Sequence, residues 1–142
     1  MFSIGYEGRS AEDLLEALTD AGVEVLADVR LNPLSRKPGL SKKRLAETLA
    51  DAGIDYVHLP ALGNPKDNRD GFRRGEPAAV DRYTARFDEP AADDALDELV
   101  ELARTRRVAV LCYEADHAIC HRSLVLAEVQ RRDPSLGEPI HL

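Results

Sequence analysis

"FSIGYEGRSAEDLLEALTDAG", residues 2–22, carries the pattern from which the fold follows. A short apolar run over residues 2–6 gives way to Ala11, Leu14, Leu15 and Leu18 at helical spacing behind Ser10, a residue type that caps helices. That is a strand followed by a helix, and the unit recurs. "VEVLADV", 23–29, is a second strand. After a polar stretch, Leu45, Leu49 and Ala52 line one face of a helix for which Ser41 is the candidate cap. "IDYVHL", 54–59, is a third strand. Pro77 and Pro90 suit two helix starts, the first carrying Val80, Tyr83, Thr84 and Phe87 and the second Leu96, Leu99 and Ala103. "VAVLCY", 108–113, is a fourth strand, a last helix is expected from near Cys120 to Arg131, and "EPIHL" supplies a short fifth strand. Strands alternating with helices predict a three-layer α/β fold, with a mostly parallel sheet of about five strands and helices on both faces.

With 142 residues, the chain is of a size that one domain with one sizeable core accounts for, so a single domain over 1–142 is expected. No stretch approaches the roughly 18 apolar residues of a membrane span, and "MFSIGY" lacks the order of a signal peptide. A cytoplasmic location without membrane association is therefore expected, where Cys112 and Cys120 are free thiols, metal ligands or catalytic groups rather than a structural disulfide. The net charge of −7 argues against a general nucleic-acid coat, as do the absence of Trp and the few aromatics. Its distribution is uneven: Arg30 to Arg44 holds six basic residues and no acid.

Ligands of open parallel sheets sit outside the carboxyl ends of the strands. Those ends collect the unusual polar residues: Tyr6, Glu7, Gly8, Arg9 and Ser10 after the first strand; Asp28, Arg30 and Asn32 after the second; His58 and the Gly63 loop after the third; Cys112, Glu114, Cys120, His121 and Arg122 after the fourth. "SKKR", 41–44, is anomalous, because cations in a helix's first turn cost about 0.3–1 kcal/mol each. Together with Arg30, Arg36 and Lys37, the three cations Lys42, Lys43 and Arg44 suggest a site for a phosphate, carboxylate or nucleic-acid backbone whose charge would offset that cost; a solvated basic face would show the same charges. The loop from Pro60 to Gly75, rich in Gly, Asn, Asp and Arg, is long enough to be functional or mobile and is a candidate lid.

"CYEADHAICHRS", 112–123, admits four readings. Cys112, Cys120 and His121 supply soft metal ligands, with Glu114 or His117 as a fourth, but the spacing is not that of a zinc ribbon or finger, so no metal ligand is assigned. Cys120, at a helix start beside Arg122, has the surroundings of a nucleophilic thiolate, with His121 as base and Glu114 or Asp28 as orienting or acid/base groups. Arg122, Ser123 and the free N–H groups of the helix start form an anion pocket without any special protonation state. Finally, Cys120, Leu124 and Ala127 fall at i, i+4 and i+7 and are simple core filler on that spacing.

The segments "IGYEGRS", "DVRLNPLSRKPGLSKKRL", "GIDYVHLPALGNP" and "VAVLCYEADHAICHRS", with a terminal "HL", closely resemble the domain of unknown function 488 family. The resemblance runs from near the start to the last residues and implies motif positions at Tyr6, Gly8, Arg9, Ser10, Asp28, Arg30, Pro33, Ser35, Arg36, Lys42, His58, Leu62, Gly63, Cys112, Glu114, Cys120, His121 and Arg122. Leu40 departs from it where the family's Phe is expected. It names a family without implying an activity. A partial likeness to rhodanese-like domains, in the order of strand, cysteine loop and "RS" opening a helix, implies sulfur transfer as an alternative, although Cys112 to Arg122 exceeds the compact rhodanese loop.

The leading expectation is a protein that binds and acts on an anionic small molecule, phosphorylated or nucleotide-like, at the carboxyl edge of its sheet. The alternatives are a non-catalytic module docking on nucleic acid or an acidic partner, and a metal-dependent hydrolase. Nucleic acid is not the favoured partner, and the residues name neither a cofactor nor an oligomeric state.

Overall fold

The computed structural model describes all residues from Met1 to Leu142. Five strands, β1 (Phe2–Gly5), β2 (Val25–Asp28), β3 (Asp55–His58), β4 (Val108–Cys112) and β5 (Ile140–His141), form one sheet in the order β3-β2-β4-β1-β5. Every pairing is parallel, with Gly5 in register with Cys112 and Asp28 with both His58 and Leu111. Every residue of β1, β2 and β4 is buried, as expected for strands covered on both sides. The edge strands β3 and β5 are partly or wholly exposed.

Six helices cover the sheet: α1 (Ala11–Asp20), α2 (Lys42–Asp51), α3 (Arg69–Arg73), α4 (Pro77–Thr84), α5 (Pro90–Thr105) and α6 (Arg122–Arg132). Leu14 and Leu18 of α1 and Leu45 and Leu49 of α2 pack with Ile4, Leu26 and Leu111 on one face. On the other, Phe72, Tyr83, Leu96, Leu99, Val125 and Val129 of α3 to α6 pack with Val25, Ala27, Val108 and Val110. The strand alternation divides side chains between two cores, so the three-layer α/β architecture is the outcome of period-2 patterning within each buried strand.

Local expectations are met unevenly. Ser10 caps α1 in a reciprocal box with Asp13, the serine hydroxyl accepting from Asp13 N and the Asp13 carboxylate from Ser10 N. Ser41 stands at the N-cap of α2, but its hydroxyl accepts from Ser35 N and donates to Ser35 O, tying the basic loop together rather than capping the helix. The segment 60–75 is not open loop: two 3-10 turns and α3 occupy it. The last helix starts at Arg122, so its buried face is Val125, Leu126 and Val129, and Ala127 is exposed. Of the spacing Cys120, Leu124 and Ala127, the first is buried in the core and the second packs against it, while Ala127 falls outside because the spacing presumes a helix already running at Cys120.

The topology determines where a site can form. Connections leaving β1 and β2 run over one face, through α1 and α2, while the one leaving β4 runs over the other, through α6. The carboxyl end of β4 is thus flanked by diverging loops, the position at which open α/β sheets leave a crevice.

Candidate functional site

A cavity of about 200 Å³ opens at that end. Tyr6 reaches it from the end of β1, Arg30, Leu31 and Asn32 from the end of β2, and Cys112, Tyr113 and Glu114 from the end of β4. Two glycines allow the elements to close around it. A Cβ on Gly5 would stand 1.9 Å from the Glu114 carbonyl oxygen, and one on Gly63 would stand 2.5 Å from the Leu31 backbone. No other residue fits where backbones approach so closely.

Arg30 is a fixed guanidinium. Fully buried Asp28 accepts from its Nε at 2.9 and 3.1 Å and from its Nη2 at 2.6 Å, and Arg30 Nη1 donates to Leu40 O at 2.8 Å. Burial opposes the Arg30 charge, but Asp28 outweighs it and holds the pKa above the ordinary arginine range. Tyr56 OH donates to Asp28 at 2.6 Å, and burial first, then that bond, push the phenol up. The Arg30 guanidinium lies over the Tyr6 ring, 5.2 Å from its centroid. Asp28 therefore orients Arg30 and is spent doing so.

Two of the cavity's cations come from α3 and are absent from the sequence-based candidates. Arg69 and Arg73, one helical turn apart, both face the cavity, with Asn64 and Phe72 beside them. Arg73 donates to Glu114 Oε1 through Nε at 3.1 Å and Nη2 at 2.9 Å. Burial opposes the Glu114 charge, but the Cys120 thiol and Arg73 outweigh it, so the carboxyl is held below its usual range. Arg69 Nε donates to Asn64 O at 3.2 Å and forms no ion pair. The signal that could have found α3 is the Arg69-to-Arg73 spacing of four; Gly71 and the five-residue length removed the apolar periodicity that marks a helix.

Beneath the arginines lie Cys112, Cys120 and His121, all buried, with their potential ligand atoms within 4.8 Å of one another. The nine-residue separation of Cys112 and His121 is bridged by a 3-10 turn at His117–Ile119. His121 Nε2 is 3.2 Å from Val29 O, and because a carbonyl only accepts, Nε2 carries the proton and Nδ1 is left with its lone pair. Nδ1 lies 3.8 Å from Cys112 Sγ and 3.9 Å from Cys120 Sγ. Cys112 Sγ is also 3.4 Å from Glu114 Oε2. The Cys120 thiol is pulled down to about 6: burial opposes this, and Cys112, His121 and Arg122 outweigh it. Cys112 shifts the opposite way, pushed up by Cys120 and by burial. Cys112 and His121 line the cavity, whereas Cys120 sits behind them.

The remaining sequence-based candidates lie around this site rather than in it. Lys42 Nζ is 3.3 Å from His58 Nδ1, and His58 Nε2 is 2.8 Å from Arg30 O, so both stand behind Arg30. Lys37 Nζ donates to Tyr6 O and Arg9 O at 3.0 Å. Gly8, Arg9 and Ser10 flank the start of α1, Ser35 binds Lys37 N, and Arg36 is exposed. Of the six basic residues of 30–44, Arg30 alone lines the cavity, Lys37 is tied to the Tyr6 and Arg9 carbonyls, and Arg36, Lys42, Lys43 and Arg44 are exposed. Arg122 is buried away from the cavity, its Nε donating to Ser3 Oγ at 2.7 Å and its Nη2 to Ala115 O at 3.4 Å, while Ser123 Oγ donates to Cys120 O. His117 belongs to that second cluster: its Nδ1 is 2.8 Å from Ser3 Oγ, and its ring packs edge-on against His141.

No helix is long and apolar enough to cross a membrane. Comparison with curated proteins and with solved structures returns no match. The model of one family, described as a domain of unknown function, DUF488, matches residues 10–129, which include β2 to β4, α3 and the whole cysteine segment. By that match over most of its length, the chain belongs to the DUF488 family.

Proposed function

We propose that the protein binds, and acts on, a small anionic ligand that carries an apolar or aromatic part, of the phosphorylated or nucleotide-like class, at the carboxyl edge of its sheet. The observation that carries this reading is Arg69, a cavity-lining guanidinium with no carboxylate within ion-pair reach, next to two more guanidiniums already neutralised by Asp28 and Glu114. An incoming anion meets preformed donors and one uncompensated charge.

The apolar part rests on the rim. Leu34, Tyr113 and Ile119 are three of the four large apolar side chains the fold leaves exposed, and all three line this cavity. Scattered singly they need no explanation; gathered at the mouth of one charged cavity they favour a ligand that is greasy outside and anionic inside. Ligand pockets typically enclose about 300–1,000 Å³. A cavity of about 200 Å³ therefore takes an anionic group while the rest of the ligand lies over the rim.

The groups placed to act on that anion are Cys112, Glu114 and His121, which line the cavity floor. Cys120, the expected nucleophile, supports them from behind. A cytoplasmic setting is part of the same reading, supported by two neighbouring cysteines that stand as free thiols.

The test is calorimetric titration of the protein with inorganic phosphate, a nucleoside monophosphate and an uncharged nucleoside. Saturable binding that is tightest for the nucleotide, persists at moderate salt and weakens in Arg69→Ala is expected. Binding of equal strength in Arg69→Ala, or none of the anions binding, overturns the reading.

A further inference from the structure

Cys112, at the end of β4, and the adjacent pair Cys120 and His121, all three buried, converge so that two sulfurs and one imidazole stand within 4.8 Å of one another. In a tetrahedral zinc site, bonds of about 2.3 Å to sulfur and 2.0–2.1 Å to nitrogen place neighbouring ligand atoms roughly 3.4–3.8 Å apart. The 3.8 and 3.9 Å from His121 Nδ1 to the two sulfurs need contract by only a few tenths of an ångström.

The imidazole is prepared for that role. Metal-bound histidines almost always give their second N–H to a carbonyl or carboxylate, which fixes the tautomer and the ring orientation. His121 does this with Val29 O at 3.2 Å, so the free lone pair is on Nδ1. That nitrogen lies 3.9 Å from Cys120 Sγ and 3.8 Å from Cys112 Sγ, a sulfur equally 3.8 Å from Nε2, so that a small turn of the ring would aim Nδ1 between the two sulfurs. The Tyr83 ring packs edge-on against the imidazole, 5.3 Å between centroids, and limits its rotation.

We propose that Cys112, Cys120 and His121 bind one thiophilic divalent cation of the zinc class, with the fourth coordination position open to the arginine-lined cavity. Closed structural sites use four protein ligands, whereas three with an open position is the arrangement of sites that bind a water or a ligand. Here Cys112 and His121 line the cavity and Cys120 does not, so the unfilled side of the tetrahedron opens to the cavity that Arg69 and Arg73 also line. Glu114 Oε2, 3.4 Å from Cys112 Sγ, stands beside that position, and its other oxygen is held by Arg73. A divalent cation also balances two thiolates, so the filled site adds no net charge to the cavity and the surplus at Arg69 remains for an anion. That last step rests on the anion reading; the metal site does not.

The experiment uses the full chain purified without chelator. Metal content is measured by mass spectrometry, and protein stripped by chelator is titrated with Co²⁺ while its electronic spectrum is recorded. Expected are about one equivalent of bound metal, a thiolate-to-cobalt charge-transfer band, the intense visible bands of tetrahedral cobalt, and their loss on adding Zn²⁺. Cys120→Ser and His121→Ala should weaken binding by more than the roughly 10–100-fold that loss of a supporting group costs.

Both thiols of folded native protein reacting freely with a disulfide reagent in the presence of Zn²⁺ would overturn the proposal, a result that does not depend on any variant folding. A weak octahedral spectrum unchanged in Cys120→Ser would do the same, marking an adventitious ion. Inorganic phosphate then separates the two readings. If the tetrahedral bands form and phosphate shifts them, the position is open to the anion. If they form and phosphate leaves them unmoved, the open position is refuted while the metal ligands stand. Phosphate binding without any cobalt bands leaves the anion reading standing and removes the metal.

Discussion

Asp28 Oδ2 lies 2.6 Å from Arg30 Nη2, with the carboxylate fully buried and the guanidinium 5 % exposed. This pair joins the fold to the site: Asp28 ends β2 in the middle of the sheet, and the guanidinium it holds lines the cavity. A buried pair contributes little net stability over an apolar isostere, but breaking it strands a charge.

Asp28→Ala should therefore destabilise the protein by about 3–5 kcal/mol, while Asp28→Asn, which keeps one acceptor for Arg30, should cost less. Urea unfolding followed by circular dichroism measures both. A loss below about 1 kcal/mol for Asp28→Ala would show that Arg30 readily finds solvent or another partner.

Arg69→Ala should leave stability within about 0.5 kcal/mol, since Arg69 makes one hydrogen bond to Asn64 O and no ion pair. Its loss should weaken anion binding by about tenfold or more, the worth of a hydrogen bond to a charged group. Arg82→Ala, which breaks only the exposed pair with Asp67, is the control in the same calorimetric titration and should change neither.

Gly5→Ala should be damaging although the residue lies in a strand with ordinary backbone angles. The added Cβ meets the Glu114 carbonyl oxygen at 1.9 Å, and backbone cannot step aside as a side chain can. Overpacking costs about 1–3 kcal/mol, and here the displacement falls on the β4 loop that carries Glu114. A lowered melting temperature together with weakened anion binding is expected; wild-type values in both assays would show the loop to be adaptable.

Arg122→Met should affect stability and not ligand affinity. Arg122 is 1 % exposed, bonds Ser3 Oγ and Ala115 O, leaves Nη1 without a partner and does not line the cavity. Methionine keeps the volume and removes the orphan donor, so a change within about 1.5 kcal/mol of either sign is expected, with phosphate binding unchanged. A tenfold loss of affinity in folded Arg122→Met would return this residue to the anion site.

His117 makes stability depend on pH. Burial first, then His141 and Arg122, lower it from 6.5 to about 4, against Asp116, which pulls the other way. Between those values the unfolded chain takes up a proton that the folded chain refuses, so stability is fully present above 6.5 and declines as pH falls toward about 4. Urea midpoints across this window should fall less in His117→Asn than in the wild type. His141, the neighbouring ring, is replaced in parallel to separate its share.

The strands were legible because a buried parallel strand is apolar along most of its length, and "FSIG", "VLAD" and "VAVLC" differ from everything around them. The Ser10 cap was legible because a capping box is a contact three residues long. Ser41 shows the limit of that reasoning: the right residue stands at the right place, but Ser35, six residues back, takes its hydroxyl. The Cys120, Leu124 and Ala127 spacing held only in part, Cys120 and Leu124 packing in the core and Ala127 standing exposed, for a related reason. A face is defined only after the first helical residue is known, and Cys120 lies in an extended segment one residue before the N-cap, His121.

By itself the sequence determined the layers, the parallel sheet and the edge at which its polar residues gather, since these follow from periodicities that each short segment carries within itself. Only the tertiary structure decided which of those residues share one cavity. Arg69 and Arg73 joined it, Arg122 left it for Ser3, and Cys112, Cys120 and His121 closed into one cluster. The order in which strands lie side by side and the face over which each connection returns are settled by packing between distant segments, and no local spacing encodes them.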